Sequence, residues 1–422
     1  MMEFNYKKHS LLSEEEIFEN KKVINDYINE IKDNPKYYSI NESFINLPSD
    51  EDTLDKVEDI KKEFSSKNLK YIFLVGIGGS SLGAKAIYNA LQNNDIFSEE
   101  IPKIIFIETI DPYLKINLDN IQSEEEIVFL FISKSGKTLE TLANSHLLFD
   151  KLKAKFPEIE KRIIIISNDN SSISKVANGF NLKTVSIPQN IGGRYSVLSV
   201  AGLIPLALSG LDVSLLREGA EEMNKKCLSL DLENNPAFIS ASVIYEWSKK
   251  EKIINQNFYF HPQLETIGKW LRQLMAESLG KNSLVPTPVV SIGTNDLHST
   301  FQLDLGGAKD KLISFVISKN SPESTLTGES MFSDLESSFL GKTDFEILKA
   351  IYDGVKNSCT KESVPFTEII LEDISEKSLG EYLQFKMIET IFLAKLFSVN
   401  AFDQPNVEDY KKNSIKILKN NI

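Results

Sequence analysis

The chain has 422 residues, room for two or three domains at roughly 150 residues each. Its 41% hydrophobic and 25% charged content is that of a globular protein and excludes a disordered, collagen-like or disulfide-scaffold chain. Lys and Arg number 47 against 60 Asp and Glu, a net charge of −13, which argues against nucleic-acid binding through a general basic surface; any phosphate site must be a local array of donors.

Residues 1–65 are rich in Glu, Lys and Asn and read as a helical extension packed on a later core. The opening MMEFNYKKHSLLSEEE has no apolar run of the signal-peptide kind. From Tyr71 the texture changes. Short apolar, β-branched runs at Tyr71–Val75, Lys103–Ile107, Ile127–Ile132, Arg162–Ile166 and Lys183–Ile187 predict buried strands. Helical patterns at Leu82–Leu91 and Leu139–Leu152 lie between them. Strands alternating with helices predict a parallel sheet with right-handed crossovers, a first lobe over 66–210. The longest apolar stretch, Val197–Leu211, is interrupted by Ser199, Gly202, Pro205 and Ser209 and falls short of the roughly 18 residues of a membrane span.

Beyond Gly210 the spacing predicts helices at Val213–Met223 and Pro236–Lys250. Strands follow at Asn257–Phe260, Pro288–Ile292, Leu312–Ile317 and Phe366–Leu371, a second lobe over 211–395 closed by an apolar helix, Leu383–Phe397. Residues 396–422 read as a helical tail, polar and lysine-rich from Gln404 onward. The expected fold class is therefore α/β: two lobes, each a mainly parallel sheet flanked by helices, with N-terminal and C-terminal helical extensions. A ligand site belongs at the C-terminal ends of the strands. The two cysteines, Cys227 and Cys359, have no CxxC spacing and read as reduced thiols of a cytoplasmic protein. The four histidines (His9, His146, His261, His298) form no HxxxH or HxH pair, so no metal is expected.

Six segments carry chemistry. Val75-Gly-Ile-Gly-Gly-Ser-Ser-Leu-Gly83 follows a strand and opens a helix, where glycines let the backbone approach an anion and free amides point at it. The third glycine of a dinucleotide fingerprint would fall on Ser81, so the segment fits a phosphate monoester better, or a purely structural turn. Ser133-Lys-Ser-Gly-Lys-Thr-Leu-Glu-Thr141 has the same strand-to-helix setting. It is not a Walker A loop, because Phe131 holds the place of the required first glycine. What remains is a hydroxyl-rich and lysine-rich anion cradle, or a helix cap with more Ser and Thr than capping needs.

Ile191-Gly-Gly-Arg-Tyr-Ser-Val197 presents Arg194 on a glycine turn, a permanent cation suited to an oxyanion. In Trp270-Leu-Arg-Gln-Leu-Met-Ala-Glu-Ser-Leu-Gly280, Gln273 and Glu277 stand one helical turn apart. Glu277 falls near the helix C-terminus, where the dipole works against negative charge, a setting that suits a general base. His298 follows a predicted strand end in Asn295-Asp-Leu-His-Ser-Thr-Phe-Gln302. Phe402-Asp-Gln-Pro-Asn-Val-Glu-Asp-Tyr-Lys-Lys412 reads, by itself, as a polar turn and a charged helix.

Taken in order, these segments resemble the phosphoglucose isomerase family over about residues 70–415, most specifically at Gly192-Gly-Arg-Tyr-Ser196 and at Phe402-Asp-Gln…Val-Glu…Lys411. The resemblance implies reversible aldose–ketose isomerisation of glucose 6-phosphate and fructose 6-phosphate through an enediolate, without cofactor or metal. It implies Glu277 as the base between C1 and C2, Arg194 beside it on the enediolate, and His298 with Lys411 for ring opening. Gly79, Ser80, Ser133, Lys134, Ser135 and Thr138 correspond to the phosphate cradle, and Gln273 and Gln404 to neighbouring substrate contacts. A homodimer with sites at the subunit interface, the histidine arriving from the other subunit, is also implied. Neither nucleic acid nor membrane is an expected partner. Two departures stand out: Lys137 where the family usually has threonine, and Asn406 where Gly or Ala is usual. A dual glucose/mannose-6-phosphate isomerase and a non-catalytic sugar-phosphate-binding regulator are the alternatives, the second disfavoured by the presence of all four catalytic-type residues.

Overall fold

The computed structural model describes residues 1–33, 38–92, 101–114, 116–251, 253–326, 332 and 335–420. Strand β1 (Glu3–Asn5) opens the chain. Then β2 (Tyr71–Val75), β3 (Lys103–Ile107), β4 (Ile127–Ile132), β5 (Ile163–Ser167) and β6 (Lys183–Ser186) form one sheet in the order β3-β2-β4-β5-β6, every pair parallel. Near-continuous burial of β4 and β5 is what a parallel sheet covered on both faces requires. A second sheet contains β7 (Ile254–Tyr259), β8 (Thr287–Ile292), β9 (Lys311–Ser318) and β10 (Phe366–Leu371), in the order β1-β10-β9-β7-β8. Only β1 runs antiparallel, Glu3 opposite Ile370.

Two strands depart from the sequence expectation, each for a physical reason. The N-terminal segment, expected as helices alone, first supplies β1, too short a strand to leave a periodic signal. It is anchored by the Met2 amide, which donates to Glu381 Oε2 at 2.6 Å with Met2 buried. Strand β7 starts at Ile254 rather than Asn257, so that Asn255 and Gln256 are buried despite their polarity. Gln256 is satisfied inside the protein, donating to Ser291 Oγ at 3.1 Å and Asp304 Oδ2 at 2.8 Å.

Alternate residues of β2 face opposite ways: Ile72 and Leu74 enter a central core, Phe73 and Val75 an outer one. The central core joins both lobes and takes in the helices Val200–Leu208, Val213–Cys227, Pro236–Lys249, Glu265–Leu279 and Glu376–Leu396. Val200–Leu208, the heart of the long apolar stretch, is buried on every side. Glu376–Leu396 begins seven residues before the expected Leu383, with Ser375 as its N-cap. It crosses Val213–Cys227 backbone to backbone: a Cβ on Gly380 would lie 1.9 Å from the Leu216 carbonyl oxygen. Among the described residues no helix is long and apolar enough to cross a membrane.

The order of the first sheet decides where a ligand can bind. The chain leaves β2 for β3 on one side and returns to β4 on the other, so the loops after β2 and β4 part at a topological switch point. Those loops are residues 76–81 and 133–138, two of the motifs singled out above. The second sheet repeats this order in β8-β7-β9-β10. At its equivalent position the ends of β7 and β9 are tied together by a side chain. His261, after β7, accepts through Nε2 from the Ser318 amide at 3.1 Å and lies 2.9 Å from the Ser318 hydroxyl. Burial pushes the His261 imidazole down to about 4.

Candidate active site

The turn after β2 and the arginine turn meet without side chains between them. A Cβ on Gly79 would fall 2.2 Å from the Gly193 carbonyl carbon and 2.6 Å from the Arg194 nitrogen. Glycine is therefore required there for contact, while Gly78 is required for its positive φ of 59°. Ser196 ties the two turns, its hydroxyl donating to the Gly79 carbonyl at 3.2 Å and the Gly193 carbonyl at 2.8 Å. Ser80 then lies just before the helix Leu82–Gln92.

Beside this junction the helix Glu265–Leu279 presents Gln273 and Glu277. Gln273 Nε2 donates to Glu277 Oε1 at 2.8 Å. Arg194 Nε stands 3.0 Å from the other oxygen, Glu277 Oε2. Arg194 is 6% exposed and Glu277 32%, so the pair is shielded on the arginine side and open on the carboxylate side. The guanidinium also offsets the unfavourable end of the helix dipole at Glu277. Its remaining reach goes to the chain near residue 402: Nη1 donates to the Ala401 and Asp403 carbonyls and Nη2 to Asp403, each at 3.3 Å.

The loop after β4 has the form of an anion cradle. Ser133 is buried, its hydroxyl accepting from the Gly136 amide at 3.2 Å and lying 3.3 Å from Thr138 Oγ1. Gly136 takes a φ of 65° with Ile173 closely apposed, so the loop turns sharply into the helix Leu139–Lys155. Thr138 makes no side-chain cap, which leaves first-turn amides available to an anion. Lys134 is half-buried, and burial, reinforced by the nearby Arg194 charge, lowers its pKa. Ser135 is exposed with its hydroxyl accepting from the Lys137 amide at 3.2 Å, and Lys137 itself is exposed.

The other expected residues are not drawn to this cluster within one chain. His298 sits exposed in the turn Asn295–His298, its side chain with no hydrogen bond or ion pair to another described residue. Lys411 lies on the helix Glu408–Asn420, paired with Glu408 at 2.8 Å. Gln404, half-buried, follows Asp403 directly and so enters the arginine's neighbourhood through the backbone. Asn406 is exposed in the turn before that helix. Among the described residues no three His, Cys, Asp or Glu side chains are grouped to hold a metal.

Three contributors were given no role in the sequence reading, although Tyr195 and Asp403 stand inside two of its motifs. Tyr195, fully buried, places its hydroxyl 2.9 Å from Ser278 Oγ and packs against Phe44 and Phe402. Asp403 supplies the carbonyl that Arg194 grips. Lys281 reaches the same carbonyl. The available signal was Lys281 itself, a cation directly beyond the end of the helix that carries Glu277.

Comparison with known proteins follows the same lines. Residues 52–421 match the Phosphoglucose isomerase family. The chain is 33% identical over 365 residues to the glucose-6-phosphate isomerase of Methanocaldococcus jannaschii, covering 86% of this chain and 88% of that one. It is 30% identical over 407 residues to the glucose-6-phosphate isomerase of Campylobacter jejuni, covering 94% and 96%. Among solved structures, a hypothetical protein from Thermus thermophilus superposes with a TM-score of 0.88 at 26% identity over 99% of this chain and 100% of that one. A glucose-6-phosphate isomerase from Chlamydia trachomatis shares the fold at a TM-score of 0.81 and 19% identity, covering 99% and 88%.

Proposed function

The chain belongs to the phosphoglucose isomerase family and interconverts glucose 6-phosphate and fructose 6-phosphate, and from that premise we propose how its residues divide the reaction. The observation that carries the reading is the Glu277 carboxylate, held at one oxygen by Gln273 and at the other by Arg194, on the open side of a buried arginine. Glu277 takes the proton from C2 of the open-chain aldose and returns it to C1. Arg194, with Nη2 hydrogen-bonded to a single carbonyl, has a donor left for the enediolate oxygen. The cradle of Gly79, Ser80, Ser133, Lys134, Ser135 and Thr138 holds the phosphate, and so sets C1 and C2 over the base. Gln404 contacts the sugar from the side of residue 403.

Ring opening needs an acid and a base at the ring oxygen and the C1 hydroxyl. Lys411 and the partner subunit's His298 take that part in a homodimer, which explains why one chain leaves His298 exposed. The enzyme works in the cytoplasm, where Cys227 and Cys359, both buried free thiols, stay reduced. The test is interconversion of the two hexose phosphates by the purified protein, with mannose 6-phosphate in parallel. Activity on the first pair alone, lost by roughly 10² to 10⁴-fold in Glu277→Gln with sugar-phosphate binding retained, supports the reading. Comparable turnover of mannose 6-phosphate would make the enzyme dual. A Glu277→Gln variant that keeps its turnover would remove the proposed base.

A further inference from the structure

The geometry points to Lys281 as a positioning residue for Arg194, an inference that rests on the roles just proposed. Lys281 follows Gly280 at the end of the helix that carries Glu277, and its side chain is only 15% exposed. An ammonium has three donors. Here all three find acceptors in one short loop: the carbonyls of Asn400 and of Asp403 (2.9 Å) and the Asp403 carboxylate (2.7 Å).

The Asp403 carbonyl is thus shared by two cations, Lys281 from one side and Arg194, through both terminal nitrogens, from the other. Asn400 closes the loop on itself, accepting from the Phe402 amide at 2.9 Å and donating to Asp403 Oδ2 at 3.3 Å. Asn282, the next residue after Lys281, donates to the Phe397 carbonyl at 3.1 Å. The base helix and the residue 400–404 loop are therefore fastened together at Lys281. Because the carbonyls that orient Arg194 belong to that loop, the lysine sets where the guanidinium lies relative to Glu277.

A surface lysine that merely lent stability would lower folding and leave the chemistry per folded molecule intact. A positioning lysine acts on turnover through the arginine. We expect Lys281→Met to lower kcat by about 10- to 100-fold, the scale of a misplacement near 1 Å, while KM changes less than 3-fold. Lys281→Arg should recover most of kcat, since a guanidinium can reach the same carbonyls.

The deciding experiment is a double-mutant cycle on folded, purified protein, with kcat corrected for the folded fraction measured by circular dichroism. In an Arg194→Ala background, Lys281→Met should cost nothing further. The same relative loss with and without Arg194 would overturn the inference, as would an unchanged kcat in Lys281→Met. Should Arg194→Ala itself leave kcat intact, the proposed role of the arginine would fail first, and the two failures are told apart by that single variant. If Lys281→Met does not fold, Asp403→Asn carries the same cycle, because it removes the carboxylate arm of the clamp and leaves the carbonyl.

Discussion

At the scale of single residues, two cations near the site are set apart by what surrounds them. Arg194 is buried against three carbonyl contacts and a carboxylate. Among the described residues Lys134 has no such partner, and burial with the arginine's charge holds its pKa below that of an ordinary lysine. Lys134 therefore gives up its proton earlier than other lysines as pH rises, and with it part of its attraction for a phosphate dianion. The expected result is a KM for fructose 6-phosphate that climbs through the alkaline range, and a Lys134→Ala variant with a higher KM, by about 10-fold, and a flatter alkaline profile. A KM in that variant equal to the parent's would remove Lys134 from the cradle. The residues proposed for the reaction were legible in sequence as candidates where a motif carried them, as at Ser133, Arg194 and Glu277. Lys281 and Asp403 were not, because each acts on or through a carbonyl of a distant loop, and a carbonyl has no sequence signature.

At the scale of elements, the strands of the first sheet could be read from their apolar β-branched runs, since a parallel strand buried on both faces has little polar alternation to blur it. The start of strand β7 was harder, with consecutive amides at Asn255 and Gln256 that look like a loop until they are seen to be buried and Gln256 hydrogen-bonded. The helix pair Val213–Cys227 and Glu376–Leu396 depends on two glycines, the Gly219 position facing the Lys377 carbonyl as Gly380 faces that of Leu216. Gly380→Ala should destabilise the protein by about 3 kcal/mol through forced separation of the helices, read from the urea midpoint. His261 of the second lobe gives a pH effect. An unfolded chain binds a proton on His261 near 6.5, whereas the folded one refuses it down to about 4. Below 6.5 the unfolded state gains that proton, so stability falls with pH across this window, by up to about 3 kcal/mol from this residue alone. His261→Gln keeps an acceptor for the Ser318 amide and should show a shallower loss between about pH 7 and 4.5.

At the scale of the molecule, one chain brings Glu277 and Arg194 together, the residues proposed as base and oxyanion donor, but leaves His298 and Lys411, proposed for ring opening, apart from them. The helix Glu408–Asn420 carries Lys411 with Tyr410, Ile417 and Leu418 exposed beside it, apolar surface that a second subunit can cover. If each site draws Glu277 from one subunit and His298 from the other, mixing Glu277→Gln with His298→Ala protein under conditions of subunit exchange restores about a quarter of parental activity. Half the dimers are then mixed, and each mixed dimer has one complete site. No recovery, with exchange verified by mass spectrometry, would place both residues in the same subunit's site.

Strand β1 also bears on how the protein is made. Residues 3–5 are translated about 365 residues before their partners at 368–370. At about 5–20 residues per second the wait is roughly 20 to 70 s, during which the first sheet gains every strand it needs while the second still lacks β10, the strand on which β1 docks. Residues 3–5 must stay unpaired through that interval and then close on β10 once it has emerged. Their docking is a late step that can be timed, by pulse-labelling of nascent chains, separately from the closing of the first lobe.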